Sequence, residues 1–114
     1  MFSSFSNLNF QFTIQKVTPF SQNAIKIMQS IPVGKVATYG QIATLAGNHR
    51  AARRVSRLIH TCSKKYNIPW HRIVNIQGKI SLKNEMFEMQ YEMLKSEGVE
   101  FGVSNKIDLE RFGF

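Results

Sequence analysis

Thiol chemistry is nearly absent from this chain, which holds a single cysteine, Cys62. One cysteine excludes a disulfide framework within the chain and a cysteine-built zinc site. It fits a reducing compartment, so the expected location is intracellular: cytoplasm and nucleoid, or nucleus. Long apolar runs are missing as well, and nothing approaches the ~20 residues of a membrane span. Acidic residues are scarce, 7 against 15 basic, for a formal net charge of +8 on 114 residues. Such an imbalance predicts a polyanionic partner, nucleic acid foremost, but charge alone does not separate DNA, RNA and an anionic membrane. Basic residues are also absent before Lys16, so the Phe-rich opening (Phe2, Phe5, Phe10, Phe12) makes a poor signal peptide. A disordered tail and an added strand are both open there. Residues 1–17 are accordingly read as an N-terminal extension.

Hydrophobic residues, at 43%, are plentiful enough for a core, and residues 18–114 are read as one domain. Thr18 can cap a helix whose first turn suits Pro19. Ala24, Ile27, Met28 and Ile31 then recur at helical spacing until Pro32 and Gly34 stop it. Thr38 can cap a short second helix carrying Ile42, Ala43 and Leu45, ended by Gly47-Asn48. A third helix is expected from His49 to about Cys62. Arg50, Arg53, Arg54 and Arg57 share one of its faces, while Ala51, Ala52, Val55, Leu58 and Ile59 share the other. A short helix, a glycine turn and a basic amphipathic helix together make a helix-turn-helix pattern. The same arginine stripe also fits a solvated face on an ordinary surface helix.

Pro69 makes a helix through Ile68 unfavourable, so residues 67–72 read as a loop. Segments 72–75 and 79–82 flank Gln77-Gly78 and read as a short hairpin. Asn84 is expected to cap a last helix to about Ser96, with Met86, Phe87, Met89, Tyr91, Met93 and Leu94 on a wide apolar face. That methionine stripe reads as core. Gly98 ends the helix, and residues 99–103 and 106–109 are expected to form a terminal strand and turn. The predicted class is mainly α with a small β-hairpin, a winged helix-turn-helix-like DNA-binding domain.

Three segments carry a resemblance: Ile31-Pro32-Val33-Gly34-Lys35-Val36-Ala37-Thr38-Tyr39-Gly40-Gln41-Ile42-Ala43, then Ala51-Ala52-Arg53, then Pro69-Trp70-His71-Arg72-Ile73-Val74-Asn75. In this order and at this spacing they resemble the DNA-binding domain of O6-alkylguanine-DNA alkyltransferases, over roughly residues 19–101. In those enzymes the last segment reads Pro-Cys-His-Arg and the cysteine takes the alkyl group. Tryptophan at that place makes the chain similar to the alkyltransferase-like proteins, which bind the lesion without repairing it. The chemistry agrees. Transfer needs a thiolate, which a neighbouring histidine can activate, whereas the indole lone pair belongs to its ring.

What the resemblance implies is a protein that is not an enzyme, needs no cofactor or metal, and binds double-stranded DNA containing O6-alkylguanine as a monomer. It would flip the damaged nucleotide into a pocket and flag it for nucleotide excision repair proteins. Trp70, His71, Arg72, Lys83 and Tyr39 would form the lesion pocket, with Tyr39 also crowding a phosphate. Arg53 would enter the stack in place of the flipped base, as a planar guanidinium can. Thr38, Tyr39, Gln41, Arg50, Arg54 and Arg57 would hold the DNA backbone, helped by Lys64, Lys65 and Lys79. His71 and Glu97 match the family's proton relay. Ser56 and Arg57 depart from the small residues usual on this helix. Two other functions remain in view: an enzyme, by residual alkyl transfer through Cys62 or another activity of the His71–Glu97 pair, and a helix-turn-helix transcription factor for undamaged DNA.

Overall fold

A computed structural model describes residues 18–114; the expectations for residues 1–17 lie outside them. Helix α1 (Pro19–Gln29) is capped by the Thr18 hydroxyl, which accepts from Ser21 N–H at 3.1 Å. Its buried face is Ala24, Ile25 and Met28, continued by Ile31 just past its end, while Ile27 is only partly buried. A two-residue strand, β1 (Ala37–Thr38), leads into α2 (Tyr39–Leu45). Thr38 and Gln41 form a reciprocal capping box at its start. Of the apolar residues this helix carries, Ile42 and Ala43 are buried and Leu45 is 57% exposed.

The turn after α2 bends at Gly47, whose φ of +110° favours a residue without Cβ. Helix α3 runs Ala52–Tyr66, later at both ends than the sequence indicated. The Asn48 side chain and carbonyl accept from Arg50 N–H and Ala51 N–H, both at 3.0 Å, holding residues 48–51 in a turn. Arg50 therefore precedes the helix instead of belonging to it. Ala43, Ala46, Ala51 and Val55 are buried where α2 meets α3, and their small side chains let the two backbones pack closely. Asn67 ends α3 in the left-handed region at φ 51°.

The expected hairpin over residues 72–82 does not form. Its first half becomes β2 (Ile73–Val74), which pairs in parallel with β1, Ala37 opposite Ile73 and Thr38 opposite Val74. Only a tight turn remains of the rest: Asn75 N–H donates to the Lys79 carbonyl at 2.9 Å, and the Asn75 side chain accepts from Gln77 and Lys79 N–H. The prediction missed this because β1 is too short to announce itself and lies far away in sequence. The mainly helical, helix-turn-helix character stands.

Successive strand residues point to opposite faces, and this divides the core. Ala37 and Ile73 belong to a cluster with α1, α2 and α3. Val36 and Val74 belong to a second one with Leu94, Val99, Ile107 and Phe112. Helix α4 (Asn84–Ser96) contributes Leu94 and Gln90 to the interior. Asn84 is its first residue, at φ 57°, and Lys83 takes the cap position without a side-chain cap bond. Met86 and Met89, expected in the core, are 44% and 51% exposed. The terminal strand is reduced to a single bridge, Phe101 to Ile107, around a 3-10 turn, followed by an unforeseen short helix α5 (Leu109–Phe112). The C-terminus then runs along β1: Val36 N–H donates to the Phe112 carbonyl and Phe114 N–H to the Val36 carbonyl.

Candidate nucleic-acid interface

The second helix of the helix-turn-helix presents a cationic edge. Arg53, Arg54 and Arg57 are exposed on α3, with Arg50 exposed in the preceding turn. They are not equivalent. Arg54 stands over the Phe20 ring at 4.4 Å and donates to the Thr18 hydroxyl at 3.2 Å, so it ties α3 to the start of α1. No side-chain ion pair engages Arg50, Arg53 or Arg57 among the described residues.

Beside this edge lies a cleft of about 250 Å³ between α3 and α4. Ser56, Ile59, His60 and Ser63 form its α3 wall at i, i+3, i+4 and i+7, and Met86 and Gln90 its α4 wall. Tyr39, Trp70 and Leu82 complete it. Arg53 lies one turn before Ser56 on the same face of α3, at the rim. Tyr39 packs against the first core cluster as well. Burial raises the pKa of its phenol and a hydrogen bond with Ser81 opposes the shift, so it is held neutral and polar at the wall.

Trp70 owes its place to the prolyl ring before it. Pro69, at φ −75° and ψ 69°, centres an inverse γ-turn closed by Trp70 N–H to the Ile68 carbonyl at 2.7 Å. The chain then winds through the 3-10 turn Trp70–Arg72 into β2. Buried Gln90 fixes this turn from α4. Its side-chain amide donates to the carbonyls of His71 and Ile73, both at 3.0 Å.

Underneath is an ion-pair network. Arg72 donates through Nε and Nη2 to the two Glu97 oxygens at 3.0 and 2.9 Å, and through Nη1 to the Ile31 carbonyl at 2.8 Å. His71 Nε2 lies 2.7 Å from Glu97 Oε2. Gly34, at φ 85°, brings its N–H within 3.3 Å of Glu97 Oε1. Burial acts to raise the Glu97 pKa, but hydrogen bonds from Arg72 and His71 and the Gly34 N–H outweigh it and hold the carboxyl at about 2.

Of the residues expected in the pocket, Tyr39 and Trp70 line the cleft and Lys83 is exposed next to Leu82, which does. His71 and Arg72 are not among its walls; they point into the network behind Trp70. Thr38 and Gln41 are engaged in the α2 cap, and Gln41 also donates to the Phe114 carbonyl. Cys62 packs against the first core cluster, touches the Thr61 hydroxyl, and lines no part of the cleft. Sequence reasoning missed Ser56, His60, Ser63, Met86 and Gln90. The helical spacing of the α3 set was there to be read, but the arginines that adjoin it on the helix carry the stronger charge signal. The methionines had been assigned to core. Among the described residues, no helix is long and apolar enough to cross a membrane.

A basic second helix in a helix-turn-helix, with a cleft beside it, defines a helix-turn-helix-like DNA-binding domain. Comparison with known proteins makes this specific. Residues 19–99 match the family of the 6-O-methylguanine DNA methyltransferase DNA-binding domain, and the chain belongs to that family. It is 40% identical over 99 residues to the DNA base-flipping protein of Escherichia coli, covering 87% of this chain and 77% of that one. It is 39% identical over 72 residues to alkyltransferase-like protein 1 of Schizosaccharomyces pombe, covering 61% and 67% of the two chains. The fold matches the crystal structure of S. pombe Atl1 in complex with damaged DNA containing O6-carboxymethylguanine. That match has a TM-score of 0.72 and 31% identity over 83% of this chain and 94% of that one.

Proposed function

We propose that this protein binds O6-alkylated guanine in duplex DNA by flipping the nucleotide into the cleft between α3 and α4, and does not remove the alkyl group. The observation that carries the reading is Trp70 lining the cleft at the place where the resembling enzymes hold their acceptor cysteine. An indole has no lone pair for alkyl transfer, and its flat apolar face suits a base or an alkyl adduct. Cys62, packed on the core away from the cleft, offers no substitute. The names of the relatives, a base-flipping protein and an alkyltransferase-like protein, point the same way.

In this reading Arg53, at the rim, fills the vacancy in the stack. Tyr39 crowds the neighbouring phosphate from the cleft wall. Lys83 approaches the flipped purine as a cation. Thr38, Gln41, Arg50, Arg54 and Arg57 hold the backbone; the Thr38 hydroxyl accepts within its cap and so keeps its proton for a phosphate. His71 and Arg72 serve the pocket through the turn that carries Trp70, and the His71–Glu97 pair is a retained relay without a thiol. The protein acts inside the cell as a monomer, uses no cofactor or metal, and marks the lesion for nucleotide excision repair proteins.

Flipping costs a few kcal/mol in lost stacking and pairing, which the basic edge helps to offset. A duplex with one O6-methylguanine should bind clearly tighter than the matched normal duplex at physiological salt. Equal affinities would sink the reading. Mass spectrometry of the incubated protein should find no methyl adduct on Cys62; a stoichiometric one would return the chain to the enzymes.

A further inference from the structure

The part of the chain built on the second core cluster carries an open groove of about 470 Å³ that shares no lining residue with the cleft. The Asn75–Lys79 turn supplies one wall and the chain from Val103 to Glu110 the other. Ile107 N–H ties the two by donating to the Gly78 carbonyl at 2.9 Å, and the Ile107 side chain is buried in the second cluster. At the rim, Val103 is 90% exposed and Ile76 84%, more than any other large hydrophobic among the described residues. Partly buried Leu109 lines the same groove. Val103 is not at a loose tip. Gly102 N–H closes its turn on the Lys106 carbonyl at 2.8 Å, and Ser104 and Asn105 both hold left-handed φ values, 58° and 56°. Two successive residues with side chains in that region store strain, and the turn they shape keeps an apolar side chain in water. An exposed apolar patch of this kind marks an interaction site.

Charge says which kind. All 7 acidic residues of the chain fall between Glu85 and Glu110, and every arginine of the DNA-facing edge precedes them. Asp108 and Glu110 line the groove against the single cation Lys106. Glu110 makes no ion pair among the described residues, because the neighbouring Arg111 is taken by Glu100 at 2.9 Å. Carboxylates repel phosphate, so this groove is not an extension of the DNA interface. An apolar rim beside an unpaired carboxylate is complementary to an apolar anchor flanked by a cation. The location agrees: Val36 and Val74 face the second cluster and Ala37 and Ile73 the first, so the sheet stands between the groove's core and the core on which α3 packs.

We propose that this groove docks a protein partner through a short segment in which leucine-like anchors stand beside arginine or lysine, and that it stays open to that partner while α3 is on DNA. The inference is independent of which lesion the cleft accepts.

The test uses the full chain, isotope-labelled for amide NMR, and three acetylated peptides of equal length: Gly-Arg-Leu-Leu-Arg-Gly, a version with serine for both leucines, and a version with glutamate for both arginines. The arginine–leucine peptide should shift the amides of residues 76–78 and 103–110 with a submillimolar Kd, and the other two should bind about tenfold more weakly. Val103→Ser, at a position too exposed to matter for folding, should weaken that peptide about tenfold, and Glu110→Gln about threefold, the worth of one apolar anchor contact and of one exposed ion pair. Glu88→Gln, exposed on α4, should leave the Kd unchanged, and so should prior saturation of the protein with an unmodified duplex. Equal binding of the serine peptide, or shifts spread over the acidic side chains of α4, would reduce the groove to unspecific charge attraction and overturn the proposal. The absence of a saturable shift overturns it as well. Displacement of the peptide by duplex would make the groove a DNA contact, and the same amides shifting with protein concentration alone would make it an interface between copies; either result overturns it too. None of these outcomes touches the preference for O6-methyl over unmodified DNA, on which the lesion-binding reading stands.

Discussion

Replacing Glu97 with Gln removes the charge at the centre of the network that carries the Trp70 turn. The carboxylate receives Arg72 twice, His71 once and the Gly34 N–H. Its pKa falls from the ordinary 4.5 to about 2. Full linkage of that drop corresponds to about 3 kcal/mol. The side chain is 15% exposed, and screening by solvent reduces the figure to about 2 kcal/mol. For a domain of this size that loss lowers Tm by about 10 °C. Because the folded pKa is the lower one, the stabilisation is complete above pH 4.5 and is lost as pH falls toward 2. Thermal or urea unfolding of both proteins from pH 7 down to pH 2 tests this. The gap between wild type and Glu97→Gln should be about 2 kcal/mol at pH 7 and close as the pH approaches 2. A gap that stays constant across that range would mean the variant fails sterically and that the electrostatic account is wrong. A gap below about 0.5 kcal/mol at neutral pH would mean that Glu97 is effectively solvated.

Further expectations follow from other contacts. Gln90→Leu leaves the carbonyls of His71 and Ile73 without their donor in a buried position. It should cost about 2 kcal/mol, and Trp70 fluorescence in the folded variant should shift as its turn loosens; an unchanged spectrum and stability would remove Gln90 from the positioning of Trp70. Arg57→Ala should reduce the slope of log affinity against log salt by about 1. Arg54→Ala should reduce that slope too and, in addition, lower stability by about 1 kcal/mol through its lost Phe20 and Thr18 contacts. Identical melts of the two arginine variants would show that the stripe is uniform after all.

Local chemistry was legible wherever neighbours in sequence decide the outcome. Thr18 and Thr38 announced their helices because a hydroxyl just ahead of a helix meets its own backbone N–H groups. Gly98 marked the end of α4 for the same local reason, a left-handed residue at φ 94°. The helix-turn-helix followed from spacing, and the family from three motifs in order. That an indole cannot take an alkyl group as a thiolate does is likewise a matter of side-chain identity, independent of the fold.

Tertiary structure decided what depends on partners distant in the chain. Ile73-Val74 pairs with Ala37-Thr38 across 36 residues, so no local pattern could show a parallel bridge. Arg72 carries the guanidinium expected of a pocket residue, yet Glu97 and the Ile31 carbonyl claim it, because a partly buried cation needs a partner wherever the fold supplies one. Met86 and Met89 lie on the apolar side of α4 but stay exposed, since burial is set by what packs opposite and not by a helix's own periodicity. The sequence by itself therefore determined the family and most of the helices. Only the tertiary placement of α3, α4 and the turn that carries Trp70 determined the shape of the cleft, because a cavity is the space that several elements jointly leave unfilled.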